Sequence, residues 1–116
     1  MNIPVLVDAS GSMSVLGKEE ISKSMIQTLS LLNKLYPKFN DIEFDFKNWN
    51  LSEDTLEKLN NTSAKTVLLT DGFDISPIDN RNVVVILIGE DCASCSNHNY
   101  FKAVDILNAI DYLLGF

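Results

Sequence analysis

The feature that most restricts this chain is a rhythm that changes repeatedly along it. Short apolar runs suited to strands alternate with stretches in which apolar residues return every three or four positions. Ile3-Pro4-Val5-Leu6-Val7, closed by Asp8, reads as a buried strand over residues 3–8. From Lys18 the spacing becomes helical: Ile21, Met25, Leu29, Leu32 and Leu35 form one stripe of a helix predicted over 18–36, with Gly17, Glu19 and Glu20 suited to its start and Pro37 as its stop. Residues 42–47 (IEFDFK) alternate strictly, which marks a strand with one wet face at a sheet edge. Ser52 is placed to cap a short helix reaching about Asn61, with Leu56 and Leu59 on its buried side. Residues 65–71 and 82–88 are two further strands, the second apolar almost throughout, as an interior parallel strand would be. A short strand over 100–104 follows, and Ile106, Leu107, Ile110, Leu113 and Leu114 make residues 105–114 a terminal amphipathic helix.

Strands separated by helices predict an α/β fold: one domain over 1–116, built as a doubly wound, mostly parallel five-stranded sheet of Rossmann-like form with helices on both faces. If the alternating strand lies beside the first, the strand order is 2-1-3-4-5 and the topological switch point falls between strands one and three. Asp8 ends the first of these strands and Asp71 the other. Two carboxylates distant in sequence are thus predicted to meet in the crevice where open parallel sheets bind their ligands.

Composition narrows what such a crevice can serve. The chain has 116 residues, 46% hydrophobic and 22% charged, which suits a folded globular domain. Sixteen acidic against nine basic residues give a formal charge of -7, and no basic patch is set aside, so neither a nucleic acid nor an anionic membrane is the expected partner. Runs such as 83–88 are too short to cross a bilayer, and the start MNIPVLVDAS lacks the basic stretch of a leader. With Cys92 and Cys95 as the only cysteines, a reducing, cytoplasmic location is expected.

Two carboxylates in one crevice repel, and a cation relieves the repulsion. The residues two and four beyond Asp8 are Ser10 and Ser12, with Gly11 giving the turn between them its freedom. Asp8, Ser10 and Ser12 therefore form one arm of an oxygen cage, and Asp71, followed by Gly72, forms the other. Hard oxygen donors of this kind suit Mg²⁺ or Mn²⁺ rather than zinc. Either segment alone would read more simply as a helix cap or an Asp-Gly turn. Their joint position at neighbouring strand ends favours the metal reading.

The same residues carry a resemblance. Asp8-Ala9-Ser10-Gly11-Ser12 resembles the D-x-S-x-S signature of von Willebrand factor type A domains, and Val67-Leu68-Leu69-Thr70-Asp71-Gly72 resembles their second segment. Residues 83–89 and 100–104 are similar to the later strands of that family. The resemblance implies a trimmed, compact intracellular microbial member with a metal ion-dependent adhesion site. In it Ser10 and Ser12 bind the ion directly, Asp8 and Asp71 bind it directly or through water, and an Asp or Glu of a partner protein fills the open position. Binding rather than turnover is implied, in a setting such as a stress-response or defence system that works with an ATPase, kinase or phosphatase. The family's third segment offers a Thr in a Gly-rich loop; here Asn48-Trp49-Asn50-Leu51-Ser52-Glu53-Asp54-Thr55 has no glycine, and Ser52 or Thr55 is the available substitute, each equally readable as part of a helix start. The family also implies that the terminal helix, residues 105–114, can shift with ligand.

Other readings compete. A metal-assisted phosphatase or hydrolase with Asp8 as nucleophile would want a second acid where Ser10 stands and a general base, for which His98 is the single histidine. A structural subunit with a decayed metal site is a third. Cys92, Cys95 and His98 have C-x2-C-x2-H spacing, but a structural zinc needs a fourth ligand, from Asp91 or a second chain, and a loop with free thiols is the simpler reading. Trp49 reads equally as a partner anchor or as packing under the crevice rim. Glu43, Asp45, Glu53, Asp54 and Glu57 read as a solvated acidic face.

Overall fold

The structure is a computed structural model and describes residues 1–9, 17–49, 52–71, 78–88 and 98–115. Its elements follow in the order β1 (Asn2–Asp8), α1 (Lys18–Leu35), β2 (Glu43–Trp49), α2 (Glu53–Asn61), β3 (Thr66–Thr70), β4 (Val83–Leu87), β5 (Tyr100–Lys102) and α3 (Ile106–Leu114). The strands form one five-stranded sheet in the order β2-β1-β3-β4-β5, as the switch-point argument predicts. Every strand pairing among the described residues is parallel, so the sheet is more uniform than the mostly parallel one expected.

The sheet is covered on both faces. Val5, Val7, Val67, Leu69, Val84 and Ile86 face one way and pack with Leu29 and Leu32 of α1 and Ile106, Ala109, Ile110 and Leu113 of α3. Leu6, Leu68, Val83 and Val85 face the other way and pack with Leu56 and Leu59 of α2. This division follows from the period of two along each strand. Val83, Val84, Val85 and Ile86 are completely buried, and each side chain of that kind contributes about 1.5–3 kcal/mol relative to exposure. The alternating strand is the edge strand it was expected to be: Phe44 and Phe46 lean on the α1 side of the core, while Glu43, Asp45 and Lys47 are exposed. Asp54 and Glu57 are exposed as well, in keeping with a solvated acidic face; the side chain of Glu53 lies outside what the structure describes.

Two expected helical stripes face the core through most of their residues and miss it at their margins. In α1 the buried residues are Lys18, Ser22, Leu29 and Leu32, with Met25 and Ile26 packed beside them, whereas Ile21 is 36% and Leu35 65% exposed. Lys18, Ser22, Met25, Leu29 and Leu32 follow one continuous spacing of four and three, so Lys18 and Ser22 share the face that Leu29 and Leu32 bury. The helix starts from Gly17 in the left-handed conformation (φ 75°), a backbone state that a residue with a Cβ adopts only with strain. It ends at Tyr36, extended before Pro37 as that ring requires. In α3, Ala109 is buried and Leu107 is 37% exposed. The last strand stops at Lys102 rather than at residue 104, because the chain turns into a short 3-10 helix over Ala103–Asp105 directly after it. Among the described residues no helix is long and apolar enough to cross a membrane.

Candidate functional site

Because all strands run the same way, their carboxyl ends share one edge of the sheet. At the switch point β1 and β3 are direct neighbours, with Val5, Leu6 and Val7 opposite Val67, Leu68 and Leu69. Continuing that register sets Asp8 level with Thr70, and Thr70 Oγ1 donates a hydrogen bond of 2.6 Å to Asp8 Oδ2. Thr70 is itself fixed at the strand end, its carbonyl accepting from the Ile88 N–H at 2.8 Å. One residue further, on the opposite pleat, Asp71 meets Lys18 at the start of α1, with Lys18 Nζ 3.0 Å from Asp71 Oδ2. All four side chains belong to buried residues: Asp8 is 3%, Thr70 0%, Asp71 1% and Lys18 3% exposed. The β1 end is also tied to β2, where the Ala9 N–H donates to the Trp49 carbonyl at 3.1 Å.

The two carboxylates therefore come to the carboxyl ends of adjacent strands, as the topology predicts, and both are withdrawn from water. Ser10, Ser12 and Gly72 lie outside the described residues. Ser52 and Thr55 form a reciprocal cap at the start of α2: Ser52 Oγ accepts from the Thr55 N–H at 3.3 Å, and Thr55 Oγ1 accepts from the Ser52 N–H at 2.7 Å. They stand at the same edge of the sheet, since β2 ends at Trp49, and their hydroxyls serve the helix terminus. Trp49 is half-buried, packs with the α2-side core and lines a cavity of about 240 Å³ together with Pro4, Leu6, Lys58 and Leu59.

Two residues complete this cluster that the motifs alone did not single out. Thr70 lies inside the quoted segment but had no role there. Lys18 reads in the sequence only as a helix start. A usable signal existed, because a cation on the first residue of a helix sits at the wrong end of the macrodipole, and something must compensate for it.

The donor chemistry can be tested against a hard divalent ion. The groups gathered at the switch point are two carboxylates and a hydroxyl, the oxygen donors that Mg²⁺ and Mn²⁺ prefer. Asp71 already bonds a cation, the Lys18 ammonium, so this carboxylate is placed to serve positive charge. The set fits. Among the described residues there is no group of three or more His, Cys, Asp or Glu side chains arranged for a metal, so such an ion would depend on hydroxyls as well as acids. His98 lies before β5, at the amino edge and thus away from this cluster, with its ring edge-on to Tyr112 at a centroid distance of 5.9 Å. Cys92 and Cys95 lie outside the described residues.

No protein-family model, curated protein or solved structure matches this chain. What the fold defines is a Rossmann-like α/β domain with a buried acidic pair at its switch point.

Proposed function

We propose that this chain is a cytoplasmic protein-binding module that depends on a divalent cation and engages an acidic side chain of a partner. The observation that carries the reading is the burial of Asp8 and Asp71 at the carboxyl ends of adjacent strands, at the point of an open parallel sheet where ligands collect. Asp8 and Asp71, with Ser10 and Ser12, would hold Mg²⁺ or Mn²⁺, and Ser52 or Thr55 would complete the set by breaking out of the helix cap. Bound there, the ion would supply a Lewis-acid position for an external carboxylate. The chain's own part is orientation: Thr70 fixes one rotamer of Asp8, and β1 and β3 fix the spacing of the two acids through their ladder.

The likeness of the Asp8 and Asp71 segments to von Willebrand factor type A domains supports the same reading and suggests a microbial stress-response or defence setting beside an ATPase, kinase or phosphatase. A hydrolase reading would need a general base near Asp8, and the single histidine, His98, stands at the other edge of the sheet.

Titration calorimetry tests the proposal. Folded native protein is expected to take up one Mg²⁺ or Mn²⁺, and Asp8→Asn is expected to lose that uptake while keeping its circular dichroism spectrum. A well-folded native chain that takes up neither ion overturns the proposal.

A further inference from the structure

We propose that Lys18 is the resident cation of this site. Its ammonium neutralises Asp71 when no divalent ion is present, competes with an incoming ion for that carboxylate, and so sets the ion concentration at which the site fills. This rests on the metal-binding reading above and adds its regulation.

Two features place Lys18 there by construction. The first is burial: the Lys18 and Asp71 side chains are only 4% and 0% exposed, and lysine is almost never buried unless it is paired. The second is position. Lys18 is the first residue of α1, where the helix dipole disfavours a cation, and Glu19 and Glu20 directly after it show the charge that the helix end itself would favour. The phase of the helix, set by Met25, Leu29 and Leu32, carries Lys18 onto the same buried face. The fold accepts an electrostatic penalty at the helix end to keep this ammonium against Asp71.

The consequence is electrostatic. An ammonium 3.0 Å from Asp71 Oδ2 and a divalent ion on the same carboxylate would stand a few ångströms apart in a buried crevice, where like charges repel strongly. The ion can bind only by drawing Asp71 away from Lys18 or by tolerating that repulsion. In either case its affinity is lower than the oxygen donors alone would give. The ion-free domain is in turn held together by an internal charge pair, so folding does not wait for metal.

The test compares native protein with Lys18→Met, which keeps length and bulk but carries no charge, and Lys18→Gln, which keeps a hydrogen-bond donor for Asp71. In chelator, Lys18→Met is expected to melt roughly 10 °C or more below native, because the buried Asp71 carboxylate loses the ammonium that neutralises it. In saturating Mg²⁺ most of that gap closes. By calorimetry, both variants bind Mg²⁺ at least about tenfold more tightly than native, the order expected on removing a neighbouring charge. In native protein labelled with ¹⁵N-lysine, the Lys18 ammonium resonance shifts or broadens as Mg²⁺ saturates, a readout that requires no variant to fold.

Native uptake with unchanged or weaker affinity in the variants, or an unmoved Lys18 resonance at saturation, overturns the role of Lys18 and leaves the metal reading standing. Uptake by the variants but not by native protein supports the role of Lys18 and overturns the metal reading for the native chain. No uptake by any of them overturns both.

Discussion

The two edges of the sheet use buried polar groups in opposite ways. At the amino edge, among the described residues, buried and half-buried amides, a hydroxyl and a phenol bond backbone. Asn99, fully buried, donates to the carbonyls of Val83 at 2.9 Å and Ile78 at 3.1 Å. Asn80 donates to the carbonyls of Leu59 and Thr62, both at 2.8 Å, and Tyr100 accepts from the Ile78 N–H at 2.9 Å. At the carboxyl edge the buried groups include charges and bond one another: Thr70 to Asp8, and Lys18 to Asp71. A side chain bonded to backbone is committed to the fold, since its partner cannot leave. A side chain bonded to another side chain can exchange that partner by changing rotamer. The difference separates an edge that stitches the domain together from one whose side-chain partners can be exchanged.

Three experiments would break or sharpen that contrast. The largest effect is expected for Asp71→Asn, which removes the carboxylate 3.0 Å from the buried Lys18 ammonium. Urea unfolding in chelator should show a loss of about 3–5 kcal/mol, and Mg²⁺ should not restore it. A loss near zero would mean that the carboxyl edge is not held by its charge pair. Next comes Asn99→Ala at the other edge, which leaves two buried carbonyls without their donor and should lower stability by about 1–3 kcal/mol. The same loss is expected with Mg²⁺ and with chelator, and a dependence on Mg²⁺ would erase the distinction between the edges.

The smallest effect is expected at Tyr100. Burial pushes its phenol above the ordinary value of 10.0, and the Ile78 N–H bond offsets this only in part. A folded value above the unfolded one means that the folded state retains the proton longer. Stability from this group is therefore complete below about pH 10 and is lost as pH rises through the folded value. Tyr100→Phe should lower stability by about 1 kcal/mol at neutral pH and flatten the alkaline limb of thermal melts recorded against pH. An unchanged limb would assign that limb to other groups.

Much of the architecture was legible because it depends on periodicities that survive tertiary packing. Strict alternation over residues 42–47 marked the edge, and the continuous apolar run at 83–88 marked the interior. The strand order then followed from placing one edge. The two acids were legible for a related reason, since each directly follows an apolar run and its position at the carboxyl edge is set by strand direction. Lys18 was not, because a lysine beginning a helix reads as solvated, and its partner Asp71 lies 53 residues away on another element. Asn99 was hidden for a similar reason. An amide before a strand reads as turn chemistry, and its three-way contact with residues 78–83 exists only once β4 and β5 pair. Pairwise side-chain chemistry between elements carries no period, so a single chain's pattern does not reveal it.

The border strand has a bearing on the chain's behaviour when crowded. Among the described residues β2 pairs with β1 alone, and its water-facing pleat bears Glu43, Asp45 and Lys47 in succession. A ribbon carrying ionised groups at every other position is a poor template for adding another strand, because each newcomer must accept those charges at close quarters. Concentrated solutions of this protein are thus expected to stay dispersed rather than grow fibrils.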